Sequence, residues 1–291
     1  MAGRTAKPGA DRPTVRAQLI AARSRLRKAG IPNGWLDAEL LLAHVMNRDR
    51  VWLHTNPETR LAGPQSQRLG RLLDRRAARE PLAYLTGERE FYGHHLRVTP
   101  VVLIPRPETE TLVEVAIEWL KAHPGANRVI DLGTGSGAIA IAIAAALPAA
   151  RVRAIDLSDA ALEVARGNIK VLRLARRIKI QKGNLLERAR PADLIVANLP
   201  YLRGARRRSW PRELHYEPRL ALEGGEDGLR LIEKAVTQAR GALRPGGCML
   251  LECDPDQVAA IKKLAGRSWT KVEVETHRDL AGRERVIQLS L

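Results

Sequence analysis

The sequence predicts an α/β protein: a small helical bundle, then a largely parallel sheet covered by helices on both faces. Three observations lead there. From Arg128 onward, strand-like apolar runs at 128–132, 151–156, 177–181, 192–197, 247–253, 269–275 and 284–290 alternate with helical patterns, the alternation that builds parallel sheets. Residues 14–78 instead show helical periodicity with short connections, the signature of an antiparallel bundle. Between the two, residues 90–99 read as a hairpin with Gly93 at its turn. The expected organisation is a helical domain over 1–80, a hairpin connector over 81–105 and a sheet domain over 106–291.

Taken in order, residues 1–12 are expected to lack regular structure. The first 30 residues are basic with only Asp11 opposing, a superficial likeness to a transit peptide. Val15, Leu19, Ile20, Ala22 and Leu26 nevertheless fall near helical spacing, which favours a folded helix. Thr14 can cap that helix, and Gly30 with Pro32 ends it. Leu36-Asp-Ala-Glu-Leu-Leu-Leu-Ala-His-Val gives a second apolar stripe, and residues 65–79 give another helix. A further helix follows Pro107 and runs to about Lys121. The last two strands, joined through His277-Arg-Asp-Leu-Ala-Gly, are suited to antiparallel pairing.

The 291 residues give ample length for a real core, and Phe91 is the only phenylalanine, so Ala, Leu, Val and Ile must fill it. The formal net charge is +17. Such a surface favours acidic partners, RNA or a ribosome among them, although a solvated arginine-rich surface has the same composition. Cys248 and Cys253 lie in one apolar strand on opposite faces, which suits buried free thiols in a reducing compartment, the cytoplasm. No apolar run approaches the roughly 20 residues of a membrane helix, so no membrane partner is expected.

The chemistry begins at Asp131-Leu-Gly-Thr-Gly-Ser-Gly-Ala-Ile-Ala. Gly133, Gly135 and Gly137, with Thr134 and Ser136 between them, allow a sharp turn with room for a ligand against the backbone. The following helix points its amides into that space. The next strand ends at Asp156, an acid able to hold two ribose hydroxyls. Strand, glycine loop, helix, strand and acid make a nucleotide-type site at a sheet switch point, but they do not name the nucleotide. Gly133, Gly135 and Ala138 also satisfy a loose dinucleotide pattern, and a purely structural turn has similar spacing. Gly137 and Asp131 favour S-adenosylmethionine, since Asp131 can meet the cofactor's ammonium, directly or through water. In Lys182-Gly-Asn-Leu-Leu-Glu, the Asn184 carbonyl can accept from an adenine amine and Leu185 can pack on its face.

The fourth strand ends in Asn198-Leu199-Pro200-Tyr201, beside the glycine loop. An amide nitrogen is a poor nucleophile because its lone pair is delocalised into the carbonyl. A site that methylates it must hold its N–H groups and steer the nitrogen. The Asn198 side-chain oxygen and the Leu199 carbonyl can accept them, Pro200 stiffens the turn, and Tyr201 offers a flat face for a planar substrate. Those acceptors favour positive charge developing on nitrogen.

At this point the chain resembles the HemK/PrmC family of protein-glutamine N5-methyltransferases, which modify peptide-chain release factors. The resemblance extends over nearly all the chain after residue 14. Besides the second helix and the glycine loop, it rests on Pro81-Leu-Ala-Tyr-Leu-Thr-Gly, Glu90-Phe-Tyr-Gly, Leu103-Ile-Pro-Arg-Pro-Glu-Thr-Glu, Glu217-Pro-Arg-Leu-Ala-Leu-Glu-Gly-Gly-Glu-Asp-Gly-Leu and Arg278-Asp-Leu-Ala-Gly-Arg-Glu-Arg-Val. It implies a seven-stranded, Rossmann-like class I methyltransferase domain, a helical bundle that grips the protein substrate, and transfer to the glutamine of a Gly-Gly-Gln motif. It also implies that residues 133–137, Asp156, Leu185 and Asn198 line the cofactor and that 198–201 bind the glutamine amide. The chain departs from the family pattern at Leu199 (usually Pro), Asn184 (usually Asp) and Glu252-Cys-Asp (usually Glu-Ile-Gly). Asn-Leu-Pro-Tyr is also the form of ribosomal RNA adenine dimethyltransferases, so RNA adenine methylation is the rival reading, beside glutamine methylation of a ribosomal protein. Arg203, Arg206, Arg207, Arg208 and Arg212 follow the turn with no acid until Glu213, and are read as a loop meeting an acidic or RNA surface.

Overall fold

The computed structural model describes residues 12–187, 189–269 and 271–291. All but the last of residues 1–12 therefore lie outside the described residues. The chain divides into two compact units, Met1–Gly87 and Glu88–Leu291.

The first unit is helical: α1 (Val15–Lys28), α2 (Gly34–Met46), α3 (Arg50–Thr55), α4 (Gly63–Ala77) and α5 (Leu82–Thr86). Thr14 caps α1, its side chain accepting from the Ala17 amide at 3.2 Å. Gly30 leaves the helix in the left-handed region at φ 69°. Leu19 and Leu26 of α1, Leu41 and Leu42 of α2, and Leu69 and Leu72 of α4 form the core. Two acids of α2 are buried and paired. Asp37 accepts from Arg76 at 2.7 Å. Glu39 accepts from Arg50 and Arg23. Burial works to raise the Glu39 carboxyl, but the hydrogen bonds from Arg50 and Arg23 prevail and hold it below its usual range.

The second unit opens with β1 (Glu88–Phe91) and β2 (His94–Arg97), an antiparallel hairpin. Its two-residue turn, Tyr92 at φ 49° and Gly93 at φ 75°, has the positive dihedrals that match strand twist. Then follow α6 (Thr109–Ala122), β3 (Arg128–Leu132), α7 (Ala138–Ala146), β4 (Arg151–Asp156), α8 (Asp159–Val171), β5 (Ile178–Lys182), β6 (Ala192–Ala197), α9 (Arg230–Ala242), β7 (Leu243–Glu252), α10 (Val258–Ser268), β8 (Glu273–Arg278) and β9 (Glu284–Ser290). The seven strands run in the order β5-β4-β3-β6-β7-β9-β8. The first five are parallel, and β9 is antiparallel to both neighbours. No helix among the described residues is long and apolar enough to cross a membrane.

Three strands differ from the sequence expectation: β5 by one residue, Ile178–Lys182 rather than 177–181, and β7 and β8 by more. β7 starts at Leu243 rather than 247, because a register shift between Ala192 and Leu194 lets Leu243 pair with Ala192 ahead of the Pro245-Gly246-Gly247 kink. β8 begins at Glu273 rather than 269. Trp269 is instead buried at the end of α10, donating its indole N–H to the Val236 carbonyl at 2.8 Å.

Alternation along the strands sorts side chains to two faces. Val129, Val152, Leu194 and Cys248 meet α6, α7 and α8, with Phe91 and Leu96 of the hairpin. Ile130, Ile155, Ile195, Met249 and Cys253 meet α9 and α10. The two free, buried cysteines thus belong to opposite faces, and burial pushes each thiol up to about 12. The link from β5 to β6 has no helix among its described residues, so only two helices back the second face.

Candidate active site

The parallel strands deliver their predicted residues to one sheet edge, the carboxyl ends of β3 to β6. After β3, Gly133, Gly135 and Gly137 all adopt positive φ. The amides of Gly133 and Thr134 both donate to the Ile155 carbonyl, at 2.8 and 3.0 Å, tying the loop to β4. A side chain at Gly133 would meet Leu199 Cδ2 at 3.2 Å, so glycine here lets the loop lie against the end of β6.

A cavity of 360 Å³ opens above these ends. Gly133, Gly135, Asp156, Asn184, Leu185, Asn198, Leu199 and Pro200 line it, joined by residues 101–103, by Pro218, Leu220, Ala221 and Glu223, and by Arg230 and Lys234 of α9. Thr134, Ser136, Gly137 and Asp131 are not in its lining and lie behind the loop. Asp131 is fully buried. Its Oδ2 accepts from Thr134 Oγ1 at 2.6 Å and from the Ala140 amide at 3.1 Å, while Oδ1 has no partner. Burial pushes this carboxyl up to about 7, against the two hydrogen bonds that favour its charge.

Asp156 Oδ2 accepts from the Gly135 amide at 2.9 Å and Oδ1 from the Ser158 amide at 2.9 Å, and each oxygen retains acceptor capacity. The Gly135 amide is the donor that a pyrophosphate would need, and it is already engaged by a carboxylate. A second acid, Asp131, backs the loop. This electrostatic setting opposes a dianionic ligand and favours a cationic one. Asn184 donates its amide nitrogen to Glu187 at 2.7 Å, which leaves its oxygen available to accept. Leu185 holds a left-handed φ of 55° at the cavity wall.

On the other side of the 198–200 turn is a second, smaller cavity of 130 Å³. Asn198, Leu199 and Pro200 line both spaces, whereas Tyr201, Arg106 and Leu214 line only the smaller one. The turn therefore stands between a large chamber and a side-chain-sized one.

Sequence reasoning missed the frame that holds this turn. Asn198 Nδ2 donates to Thr109 Oγ1 at 3.0 Å, leaving the Asn198 side-chain oxygen as the free acceptor. Thr109 lies beside Glu252, which is 1% exposed and also accepts from the Tyr201 hydroxyl at 3.2 Å. Burial raises the Glu252 carboxyl, against Thr109, Arg285 and Tyr201, which favour its charge. Burial and then Glu252 raise the Tyr201 phenol above its ordinary value, so it remains a neutral donor. Gly224 and Gly228 press on the same turn. A Cβ at Gly224 would lie 2.4 Å from the Pro200 carbonyl oxygen, and one at Gly228 would lie 2.1 Å from that of Tyr201. Glu217 joins the 103–110 and 217–229 motifs by pairing with Arg106 and accepting from the Ile104 amide at 3.0 Å. The motifs were visible in the sequence, but their contacts were not.

The basic loop forms two 3-10 turns, Gly204–Ser209 and Arg212–Tyr216, with Arg206, Arg207, Arg208 and Arg212 exposed. Arg203 instead pairs with Asp256 at 3.1 Å.

Two family models match the chain: the PrmC N-terminal domain over residues 18–87, and ribosomal protein L11 methyltransferase (PrmA) over residues 109–200. A release factor glutamine methyltransferase of Bordetella pertussis is 43% identical, covering 92% of this chain and 98% of that protein. One from Moorella thermoacetica is 42% identical, covering 94% and 96%. Among solved structures, a methyltransferase from Pyrococcus furiosus superposes with a TM-score of 0.50 at 19% identity, over 77% of this chain and 98% of that one. The hMettl16 catalytic domain does so with a TM-score of 0.54 at 17% identity, over 78% and 82%. At these identities the likeness is one of fold.

Proposed function

Because the chain belongs to the release factor glutamine methyltransferase family, we propose that it methylates the side-chain amide nitrogen of a glutamine in a peptide-chain release factor. S-adenosylmethionine is the donor. The observation that carries this reading is the double exposure of the 198–200 turn, with a cofactor-sized chamber on one side and a small pocket beside Tyr201 on the other.

The residues fit the donor. The Asp156 carboxylate has acceptor capacity left for the ribose hydroxyls, the Asn184 oxygen suits an adenine amine, and Leu185 offers an apolar wall. The unpartnered Oδ1 of Asp131, behind the loop, is an acceptor left over for the donor's ammonium, directly or through water. When bound, the donor supplies an electrophilic methyl carbon. The chain's own part is to hold the glutamine amide. Asn198 Oδ1 and the Leu199 carbonyl accept its two N–H groups, which aims the nitrogen and favours the charge it gains as the N–C bond forms and the C–S bond breaks. Tyr201 closes the small pocket around the planar group. One amide proton then leaves to water, and no strong base is needed. Alignment of this kind can lower a barrier by about 7–11 kcal/mol in favourable cases.

We assign residues 1–80 to gripping the protein substrate, 81–105 to a connector and 106–291 to transfer, with the cytoplasm as the working compartment. The 203–212 loop is assigned to an acidic or RNA surface beside the substrate.

The test is transfer of a radiolabelled methyl group from S-adenosylmethionine to a purified release factor, with and without its Gly-Gly-Gln glutamine replaced. Label that depends on the glutamine is the expected result. Label on ribosomal protein L11 or on RNA instead would overturn it.

A further inference from the structure

At the opposite ends of the same strands lies a concavity of 330 Å³. We propose that it is a binding site for the phosphodiester backbone of RNA, separate from the methyl-transfer pocket. Its cations follow from the sheet register. Arg128 of β3 is the partner of Arg151 of β4, and Arg153 of β4 is the partner of Lys179 of β5. Arg151 and Arg153 are two residues apart, so all four side chains share one face. That face is the one bearing Ile130 and Ile155, where the β5–β6 link carries no helix among its described residues. The missing layer leaves β3, β4 and β5 open here. Arg190 from the link, with Arg176 and Arg177 ahead of β5, completes the rim.

No carboxylate lines the cavity, and none of these seven cations forms an ion pair with one among the described residues. The carboxylate of Asp193, on neighbouring β6, is taken up by the Asn127 and Arg128 amides at 3.0 and 2.9 Å and by Arg244 at 3.0 Å. Arg151, Arg153 and Arg177 donate to backbone carbonyls, which fixes their directions without neutralising them. Arg153 and Arg190 are close enough that their like charges, after burial, lower the Arg153 pKa. Seven cations spread over three strands, a link and a loop do not converge on one small anion. They suit a row of phosphates, and six of the seven are arginine, the side chain whose planar fork matches phosphate oxygens. Ile130 and Ala192 give this face of the cavity an apolar floor, so the site grips backbone rather than sequence.

The test compares wild type, the triple variant Arg128→Ser/Lys179→Ser/Arg190→Ser, and the charge-matched control Lys262→Ser/Lys263→Ser/Arg267→Ser. All six positions are exposed. Binding of a fluorescent single-stranded RNA is read by anisotropy across a salt series. The triple variant should bind roughly tenfold more weakly, with the slope of log affinity against log salt reduced by about 2, as expected for roughly 0.7 per lost phosphate contact. The control should stay near wild type. Equal losses in both variants would mean diffuse attraction to a basic protein and would overturn the site. So would equal competition by polyglutamate or by tripolyphosphate. Methyl transfer to an isolated protein substrate should be unchanged in the triple variant, so this inference and the proposed reaction can fail separately.

Discussion

Asn198 Nδ2 donates to Thr109 Oγ1 at 3.0 Å, a bond between residues 89 positions apart that fixes which way the Asn198 amide faces. Without it the amide can rotate and present N–H groups where an acceptor is needed. Thr109→Val should lower kcat by roughly 10- to 100-fold, the scale of a misaligned reacting group. Thr109→Ser should restore most of it. The stabilisation of the protein by S-adenosylmethionine should be the same in all three, since Thr109 does not line the large cavity. A lost cofactor effect in Thr109→Val would show that the bond supports the whole edge rather than one side chain.

Leu199 departs from the family's usual proline, and its side chain is buried against Gly133 in the α9–α10 core. Its assigned role uses only the carbonyl. Leu199→Pro should therefore keep turnover within about threefold while lowering unfolding stability by about 1–3 kcal/mol through lost packing. Denaturant titration beside steady-state rates separates the two. A collapse in turnover at unchanged stability would give the leucine side chain a direct role.

Gly224 illustrates close backbone approach. An added methyl would sit 2.4 Å from both the Pro200 and the Gly228 carbonyl oxygens. Gly224→Ala should abolish measurable transfer and cost about 1–3 kcal/mol as the turn is forced aside. Gly241→Ala, in open space within α9, should be neutral or stabilising and serves as the comparison.

Asp131 predicts a pH signature. Its folded pKa of about 7 lies above the ordinary 3.8, so the folded state holds the proton more tightly than the unfolded one. Its contribution to stability is greatest below about pH 4, declines as pH rises to about 7, and is constant beyond. Asn in its place cannot ionise. The stability of Asp131→Asn relative to wild type should therefore improve by about 2–3 kcal/mol between pH 5 and pH 8. Acids with lowered values, such as Asp193, act in the opposite sense but cancel in the difference. A gap independent of pH would mean that Asp131 stays charged throughout.

Local pattern carried much of this molecule. The strands at 128–132, 151–156, 192–197 and 284–290 were legible at their observed bounds because apolar runs there end at turn residues. The glycine loop and the Asn198 turn were legible because each motif is contiguous. Legibility failed where tertiary contacts decide. Gly246 and Gly247 look like a strand start, yet the paired strand reaches back to Leu243 through a bulge. Trp269 looks like a strand residue, yet its indole is committed to Val236. The Thr109, Glu252 and Tyr201 frame draws on segments far apart in the chain, and no spacing announces it.

Asn168 of α8 bonds both the amide and the carbonyl of Arg97 in β2, at 2.9 and 3.0 Å, and donates to the Ser136 carbonyl within the glycine loop at 2.9 Å. A single side chain thus staples the hairpin to the turn beside the chamber. For anyone excising the transfer half as a stand-alone fragment, the cut belongs before Glu88. A fragment begun after Arg97 sheds Phe91 and Leu96 from the core and leaves Asn168 bonded to the loop alone.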